Sequence, residues 1–202
     1  MLDNLNIKCT LCGCAEVELQ DYKIRNITDD SCKMYKCKNC ETHFMYPLPS
    51  QDLSEYYDGT FREEVHTADY YDYTELDKVF NNFLSEAKLR TERVKNDLSV
   101  NDTILEIGSS VGYFTATISD YVKDIYATEW DSKARAYIKD RLAKYNIHVA
   151  KNPEDFETKF DKIFMFHVLE HIEKPIDFLK NLKQLLNENG KIYIEVPNVD
   201  DV

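Results

Sequence analysis

The sequence has no apolar run near the roughly 20 residues that a membrane-crossing helix needs, so no spanning segment is expected. Its start, Met-Leu-Asp-Asn, lacks the basic and apolar stretches of a secretory leader. Positive charge is scarce too: 25 Lys and Arg face 37 Asp and Glu over 202 residues, a formal net charge of −12. The deficit is uneven, with six basic against seven acidic residues in 1–50 and 19 against 30 in the remainder. Affinity for a polyanion comes largely from Lys and Arg neutralising phosphates, so the acidic larger part makes nucleic acid a poor partner. Lys33, Lys36 and Lys38 form a local basic run and are read as a solvated strand face. Core material is not lacking. Hydrophobic residues make up 43%, enough for one moderate domain with a small appendage.

Glycine is also sparse, and two of the five fall in one short turn. Residues 103–114 (TILEIGSSVGYF) read as a buried strand that breaks into a tight turn and opens a helix. Glycine at 108 and 112 allows positive φ and close approach of backbone to a ligand. The exposed N–H groups at the helix start favour a polar or anionic group. A second strand over 124–128 ends at Glu129, 21 residues beyond Gly108. That is about the interval that places an acid on ribose hydroxyls in a Rossmann βαβ unit, so a nucleoside-bearing cofactor is expected. A dinucleotide site would want Gly-x-Gly-x-x-Gly; here Ser110 stands at the second glycine and Glu106 lies two residues upstream of the first.

The pattern Glu106-x-Gly108-x-x-x-Gly112 resembles motif I of class I S-adenosylmethionine-dependent methyltransferases. Residues 160–175 (FDKIFMFHVLEHIEKP) and 185–198 (LLNENGKIYIEVPN) resemble motifs II and III of the same family, in order and spacing. The resemblance implies a Rossmann-like, doubly wound α/β sheet with S-adenosylmethionine across the carboxyl ends of its first two strands. Glu106, Gly108, Ser109, Gly112 and Phe114 would then serve the amino-acid end and Glu129 the ribose. Adenine would lie between Trp130 and the turn 152–156, where Asp155 and Phe156 are the expected contacts.

Strands are expected near 103–107, 124–128, 147–150, 161–166 and 190–196, with a helix opened by Pro175, striped by Ile176, Leu179, Leu182 and Leu186, and stopped by Gly190. A complete class I sheet has seven strands. Either this sequence is part of a longer product, or a partner chain or second copy completes the sheet. His167 follows the fourth strand at its carboxyl end, where such sheets place ligands. It is the candidate general base and a pocket-lining residue, imidazole being the side chain that ordinarily titrates nearest neutrality. His167 and His171 also fit the His-x-x-Glu-His spacing of an inverted zinc protease, but that site needs one continuous helix, which the strand breaks. His171 is read as packed and hydrogen-bonded.

Residues 51–98 form a linker. Leu76, Phe80, Phe83, Ala87, Val94 and Leu98 recur at helical spacing, and Tyr56, Tyr57, Phe61, Tyr70, Tyr71 and Tyr73 crowd the segment before them, as packing or as a lid. At the other end, Cys9-x-x-Cys12 and Cys37-x-x-Cys40 are two knuckles that complete a tetrathiolate, a closed structural site suited to zinc. Cys14 and Cys32 are left over and read as free thiols, and such thiol usage without a leader points to the reducing cytoplasm. Residues 9–57 resemble the zinc-binding region that precedes the catalytic domain in bacterial small-molecule methyltransferases, notably sugar C-methyltransferases. The shared features are the knuckles, Phe44, Pro47 and Pro49, then Leu53, Tyr56 and Tyr57; Glu41 departs from the usual glycine. The division expected is a zinc module over 1–50, a linker over 51–98 and a cofactor-binding domain over 99–202. The implied activity is methyl transfer to a sugar-like small molecule, with a ribosomal RNA methyltransferase or a non-catalytic cofactor-binding module as alternatives.

Overall fold

The computed structural model describes residues 7–21, 32–48, 57–58 and 75–198. Two compact units are present, residues 1–51 with 170–182 and 197–202, and residues 52–169 with 183–196. Tyr56, Phe61, Tyr70, Tyr71 and Tyr73 lie outside the described residues. No described helix is long and apolar enough to cross a membrane.

In the first unit β1 (Val17–Gln20), β2 (Lys33–Cys37) and β3 (His43–Tyr46) form an antiparallel meander. Backbone bonds close each cysteine knuckle: Gly13 N–H donates to Cys9 O and Glu41 N–H to Cys37 O, both at 2.9 Å. Glu41 adopts φ +60°, a left-handed conformation costly for a residue with a Cβ. Among the described residues Cys9, Cys37 and Phe44 form a small buried cluster here, with Ile7, Val17 and Tyr35 against it. A core this small does not hold a fold by burial alone.

The second unit is a five-stranded parallel sheet in the order β6-β5-β4-β7-β8. Its strands are β4 (Thr103–Ile107), β5 (Asp124–Thr128), β6 (Ile147–Ala150), β7 (Phe160–Phe166) and β8 (Leu186–Glu195). Helices α1 (Leu76–Val94), α2 (Tyr113–Ile118) and α3 (Ser132–Arg141) belong to this unit, whereas α4 (Pro175–Gln184) falls mostly within residues 170–182 of the first. Parallel strands need crossovers and covered faces, which is why these strands read as apolar runs. In register, Glu106 stands beside Phe164, Phe164 beside Tyr193 and Phe166 beside Glu195, so these residues share one face. Ile104, Ile125 and Phe164 on that face pack with Ala87 of α1 and Phe114 and Ile118 of α2.

Two expectations need correction. Leu186 does not continue the last helix: α4 ends at Gln184, and Leu186 opens β8 opposite Phe160. The register then shifts before Lys191 pairs with Lys162, and the intervening Asn189 is left-handed at φ +64°. The buried side of α1 is also more polar than its apolar stripe suggests, since Arg90 and Thr91 are buried together with Val79 and Ala87.

Phe114 is fully buried, its ring 5.1 Å from that of Phe164 and 4.7 Å from that of Phe166. It is a core residue, packed with Ile104, Ile125 and Phe164. Phe114→Ala should cost about 3–5 kcal/mol of stability, seen as a lower urea midpoint at unchanged slope.

Candidate functional site

The strand order reverses between β4 and β7, and open α/β sheets bind ligands outside the carboxyl ends of strands at such a reversal. The turn after β4 is drawn onto β5: the N–H groups of Gly108 and Ser109 both donate to Thr128 O, at 2.9 and 3.0 Å. Gly108 has φ +71°, and a Cβ there would lie 2.6 Å from Val168 Cγ2, in the turn after β7. Gly112, at φ +77°, precedes α2, and a Cβ there would lie 2.9 Å from Leu142 Cδ1. The positive φ at both positions favours glycine, and a Cβ at either would also push a neighbouring side chain aside. Ser110 is left-handed at φ +50° despite its Cβ, and its N–H donates to Glu129 Oε2 at 2.7 Å.

Glu129 Oε1 accepts from Asp131 N–H at 2.9 Å, so the carboxylate is pinned between the turn and the entry to α3. A carboxylate offers about four lone-pair directions, so both oxygens can still accept from vicinal hydroxyls. Trp130 follows, with its ring 6.0 Å from that of Tyr57. Arg135 Nη1 donates to the carbonyls of Glu129 and Trp130, both at 2.6 Å. Asp155 is exposed and its Oδ2 accepts from Asn152 N–H at 2.9 Å, closing the turn it belongs to. Phe156 ends the same turn. Its ring stands edge-on to Tyr126 at 4.9 Å and to Phe160 at 6.5 Å, covering the sheet beside β5 as a packing residue.

Two polar atoms beside the turn have no hydrogen-bond partner among the described residues: Glu106 Oε2 and Ser109 Oγ. Both residues are buried, at 2% and 1% exposure. Burial pushes the Glu106 carboxyl well above its usual range; Arg90 and the Thr115 N–H pull it back, and Glu129 raises it further. A buried acceptor without a donor costs about 1–3 kcal/mol. A ligand bringing a cationic donor would satisfy both atoms, and the ammonium of a methionine moiety has that chemistry. The residues present thus fit S-adenosylmethionine.

His167 directly follows β7 with a left-handed backbone, φ +55°, and its N–H donates to Glu195 O at 2.9 Å. No helix joins it to His171, which stands in a short turn over Leu169–His171 with Nε2 4.0 Å from Glu170 Oε1. His167 Nε2 lies 3.3 Å from Glu195 Oε1. That oxygen also accepts from Arg90 Nε at 3.0 Å and from Arg90 Nη2. Arg90 further meets Glu86 at 2.5 Å and stands over the Phe166 ring, 4.5 Å from its centroid. Sequence reasoning missed Arg90 and Glu195. The available signals were a cation on the buried stripe of α1, between Ala87 and Val94, and a carboxylate closing the apolar run Ile192-Tyr193-Ile194.

The four knuckle sulfurs all lie within 4.8 Å of one another, with Cys9–Cys40 at 3.6 Å and Cys12–Cys37 at 3.5 Å. A tetrahedral tetrathiolate with Zn–S of about 2.3 Å spaces its sulfurs about 3.8 Å apart, close to this arrangement. Cys14 and His43 are not in the cluster. An open surface hollow of about 490 Å³ is lined by Asp77, Phe80, Tyr137 and Arg141 among others, and by none of the strand-end residues.

Glu106 yields a prediction with a definite sign. Its folded form holds the proton more tightly than the unfolded chain, so the stability it contributes is full below the ordinary carboxyl value and lost as pH rises through the raised one. Glu106→Gln, neutral at every pH, should match the wild type near pH 4 and exceed it by about 1–3 kcal/mol at pH 8 in denaturant titrations. The same variant should bind S-adenosylmethionine more weakly by calorimetry.

A family model for the methyltransferase domain matches residues 70–202. Curated relatives are tRNA U34 carboxymethyltransferases. That of Campylobacter hominis is 27% identical over 106 residues, 48% of this chain and 36% of its own length. That of Campylobacter curvus is 42% identical over 45 residues, 22% of this chain and 15% of its own. The chain therefore spans about a third of the first relative and less of the second. Among solved structures, DhpI with SAH has a TM-score of 0.53 at 19% identity, covering 73% of this chain and 71% of that one. DhpI with SAM and HEP gives 0.51 at the same identity, covering 73% and 65%, a likeness of fold. With the family model covering most of its length, the chain belongs to the methyltransferase-domain family and is built on the class I S-adenosylmethionine-dependent fold.

Proposed function

We propose that the protein transfers the methyl group of S-adenosylmethionine to a small polar metabolite of the sugar or nucleotide-sugar class, at oxygen or carbon. The observation that carries the cofactor half is the pair of buried, unsatisfied acceptors, Glu106 Oε2 and Ser109 Oγ, beside a glycine turn and facing the reversal in strand order. Glu129 supports the ribose assignment by its position between Ser110 N–H and Asp131 N–H. When bound, the cofactor supplies an electrophilic methyl group, so the chain's task is to align a nucleophile and, for a hydroxyl or carbon acid, to remove its proton. His167, 48% exposed at the end of β7, is the side chain we assign to that proton.

The substrate class rests on the resemblance of the knuckles and the following Pro-x-Pro segment to sugar C-methyltransferases, and on the acidic balance of the chain. We assign one zinc ion to Cys9, Cys12, Cys37 and Cys40, where it would replace the protons the crowded sulfurs share. Backbone N–H from Cys14 and the Asn39 amide lower the Cys12 thiol to about 6. The Cys40 N–H pulls Cys37 down, but burial and the neighbouring thiols carry it up to about 12. A second reading, a nucleic-acid methyltransferase, is favoured by the names of the curated relatives. Their match does not extend over most of either chain, and 30 acidic residues against 19 basic beyond residue 50 oppose polyanion binding.

Protein purified without chelator should contain one zinc per chain by elemental analysis. Cys9→Ser should lose it and unfold residues 7–21 and 32–48, whereas Cys14→Ser and Cys32→Ser should retain it.

With methyl-labelled cofactor, label should pass to a nucleotide-sugar acceptor and not to bulk RNA. His167→Ala should slow that transfer by about a hundredfold or more while leaving cofactor affinity within a few-fold of wild type. Label in RNA would assign the second reading instead. Full activity in the alanine variant would leave a methyltransferase without this base.

A further inference from the structure

We propose that Glu195, gripped by Arg90, is a positioning residue that holds the His167 ring in one orientation and one tautomer, with Nε2–H directed at Glu195 and the ring's lone pair on Nδ1. This rests on the reading of His167 as the general base. Three contacts tie the imidazole to the end of β8. The backbone N–H of His167 donates to Glu195 O at 2.9 Å, Phe166 and Glu195 stand side by side in register, and Nε2 lies 3.3 Å from Glu195 Oε1. The first of these holds His167 at φ +55°, a conformation that a residue with a Cβ adopts at a cost when its surroundings compel it.

The carboxylate is itself immobilised. Glu195 Oε1 accepts from Arg90 Nε and Nη2, Arg93 Nη1 lies 3.8 Å from Oε2, and Arg90 is clamped by Glu86 and the Phe166 ring. Burial of Glu195 would raise its carboxyl, but Arg90 outweighs that and holds it below the usual range, so it is an anion at neutral pH. An ionised carboxylate only accepts. A neutral imidazole facing it must therefore present an N–H, and Nε2 is the nitrogen on that side. In the proton transfer, the acceptor's O–H or C–H bond breaks, its electron pair stays on the acceptor, and the proton forms Nδ1–H. The resulting imidazolium then stands beside a fixed anion, the role a carboxylate plays behind a catalytic histidine.

Glu86, His167 and Glu195 also have the composition of a divalent-cation site. Arg90, 4% exposed, already bridges the two carboxylates and supplies the positive charge there, which makes positioning the better reading.

The test uses the full chain saturated with S-adenosylhomocysteine and labelled with ¹⁵N-histidine. Ring nitrogens are read near pH 9, well above the ordinary imidazole range of about 6.5. His167 is assigned by the signal missing in His167→Gln. Wild type should show a pure Nε2–H tautomer; Glu195→Ala should mix the tautomers and narrow the separation of the two nitrogen shifts, and Glu195→Asp should largely restore it. A wild-type ring protonated at Nδ1 would overturn the proposal without need of any variant, as would an unchanged spectrum in a folded Glu195→Ala. Signals broadened by added Mn²⁺ in wild type but not in Glu86→Ala would make the trio a metal site and overturn it as well. Calorimetry of S-adenosylhomocysteine on the same samples separates the readings: no binding removes the methyltransferase assignment, whereas intact binding with the wrong tautomer removes only the role of Glu195. With a nucleotide-sugar acceptor, Glu195→Ala should lower kcat at least about tenfold and add nothing in a His167→Ala background. An additional loss there would show that Glu195 does not act through His167.

Discussion

A guanidinium taken out of water is costly unless its charge and donors are met, and removing one partner of such a pair leaves the other exposed to the full penalty. Arg90 occupies that position in the sheet unit. It is buried on α1, it bridges Glu86 and Glu195, and its field is the largest influence lowering Glu106 against desolvation. The register of β4, β7 and β8 puts Glu106, Phe166 and Glu195 on the face that α1 and α2 cover. Two acidic side chains, Glu106 and Glu195, thus stand on β4 and β8 either side of β7, and among the described residues Arg90 is the buried cation whose field reaches both. Helix α1 is therefore part of the site's electrostatics as well as a cover for the sheet.

Features that disfavour stability gather at these strand ends. Glu106 Oε2 and Ser109 Oγ are buried without partners, and Ser110 and His167 hold left-handed backbones with side chains attached. Elsewhere the sheet's charged groups are met. Asp161 accepts from Thr103 N–H at 2.8 Å and from the Asn187 amide at 2.9 Å, and Lys162 lies 3.4 Å from Asp102. A fold whose local rules hold at one end and fail at the other indicates where binding is to supply the missing partners.

The legible part of the site was the local part. Gly108, Gly112 and Glu129 could be read because a strand, a tight turn and a second strand place them by chain distance alone, and their conformations follow from what a Cβ would strike. The fold class was legible for the same reason, through apolar runs alternating with turn residues. Arg90 and Glu195 were not, because 105 residues separate them and their meeting depends on the packing of α1 across the sheet. The directions of the Phe114 and Phe156 rings were not legible either, because proximity in sequence to a turn does not say which way a ring points. Phe114 turns into the core and Phe156 onto Tyr126. Leu186 fits a helical stripe and a strand equally well, and its pairing with Phe160 decides it.

Charge at the site also discriminates between cofactors that share a nucleoside. A dinucleotide would bring a pyrophosphate to the turn after β4, yet residues 108–112 contain no cation, and the neighbouring groups are Glu106 and Glu129. Glu129 already raises the cost of ionising Glu106, and the same negative field would repel phosphate and attract an ammonium or sulfonium. The absence of a second glycine points the same way, since Ser110 takes the left-handed conformation while its N–H is engaged by Glu129 and so is not aimed at an anion. The same field that suits a cationic cofactor is unfavourable to the backbone of a nucleic acid.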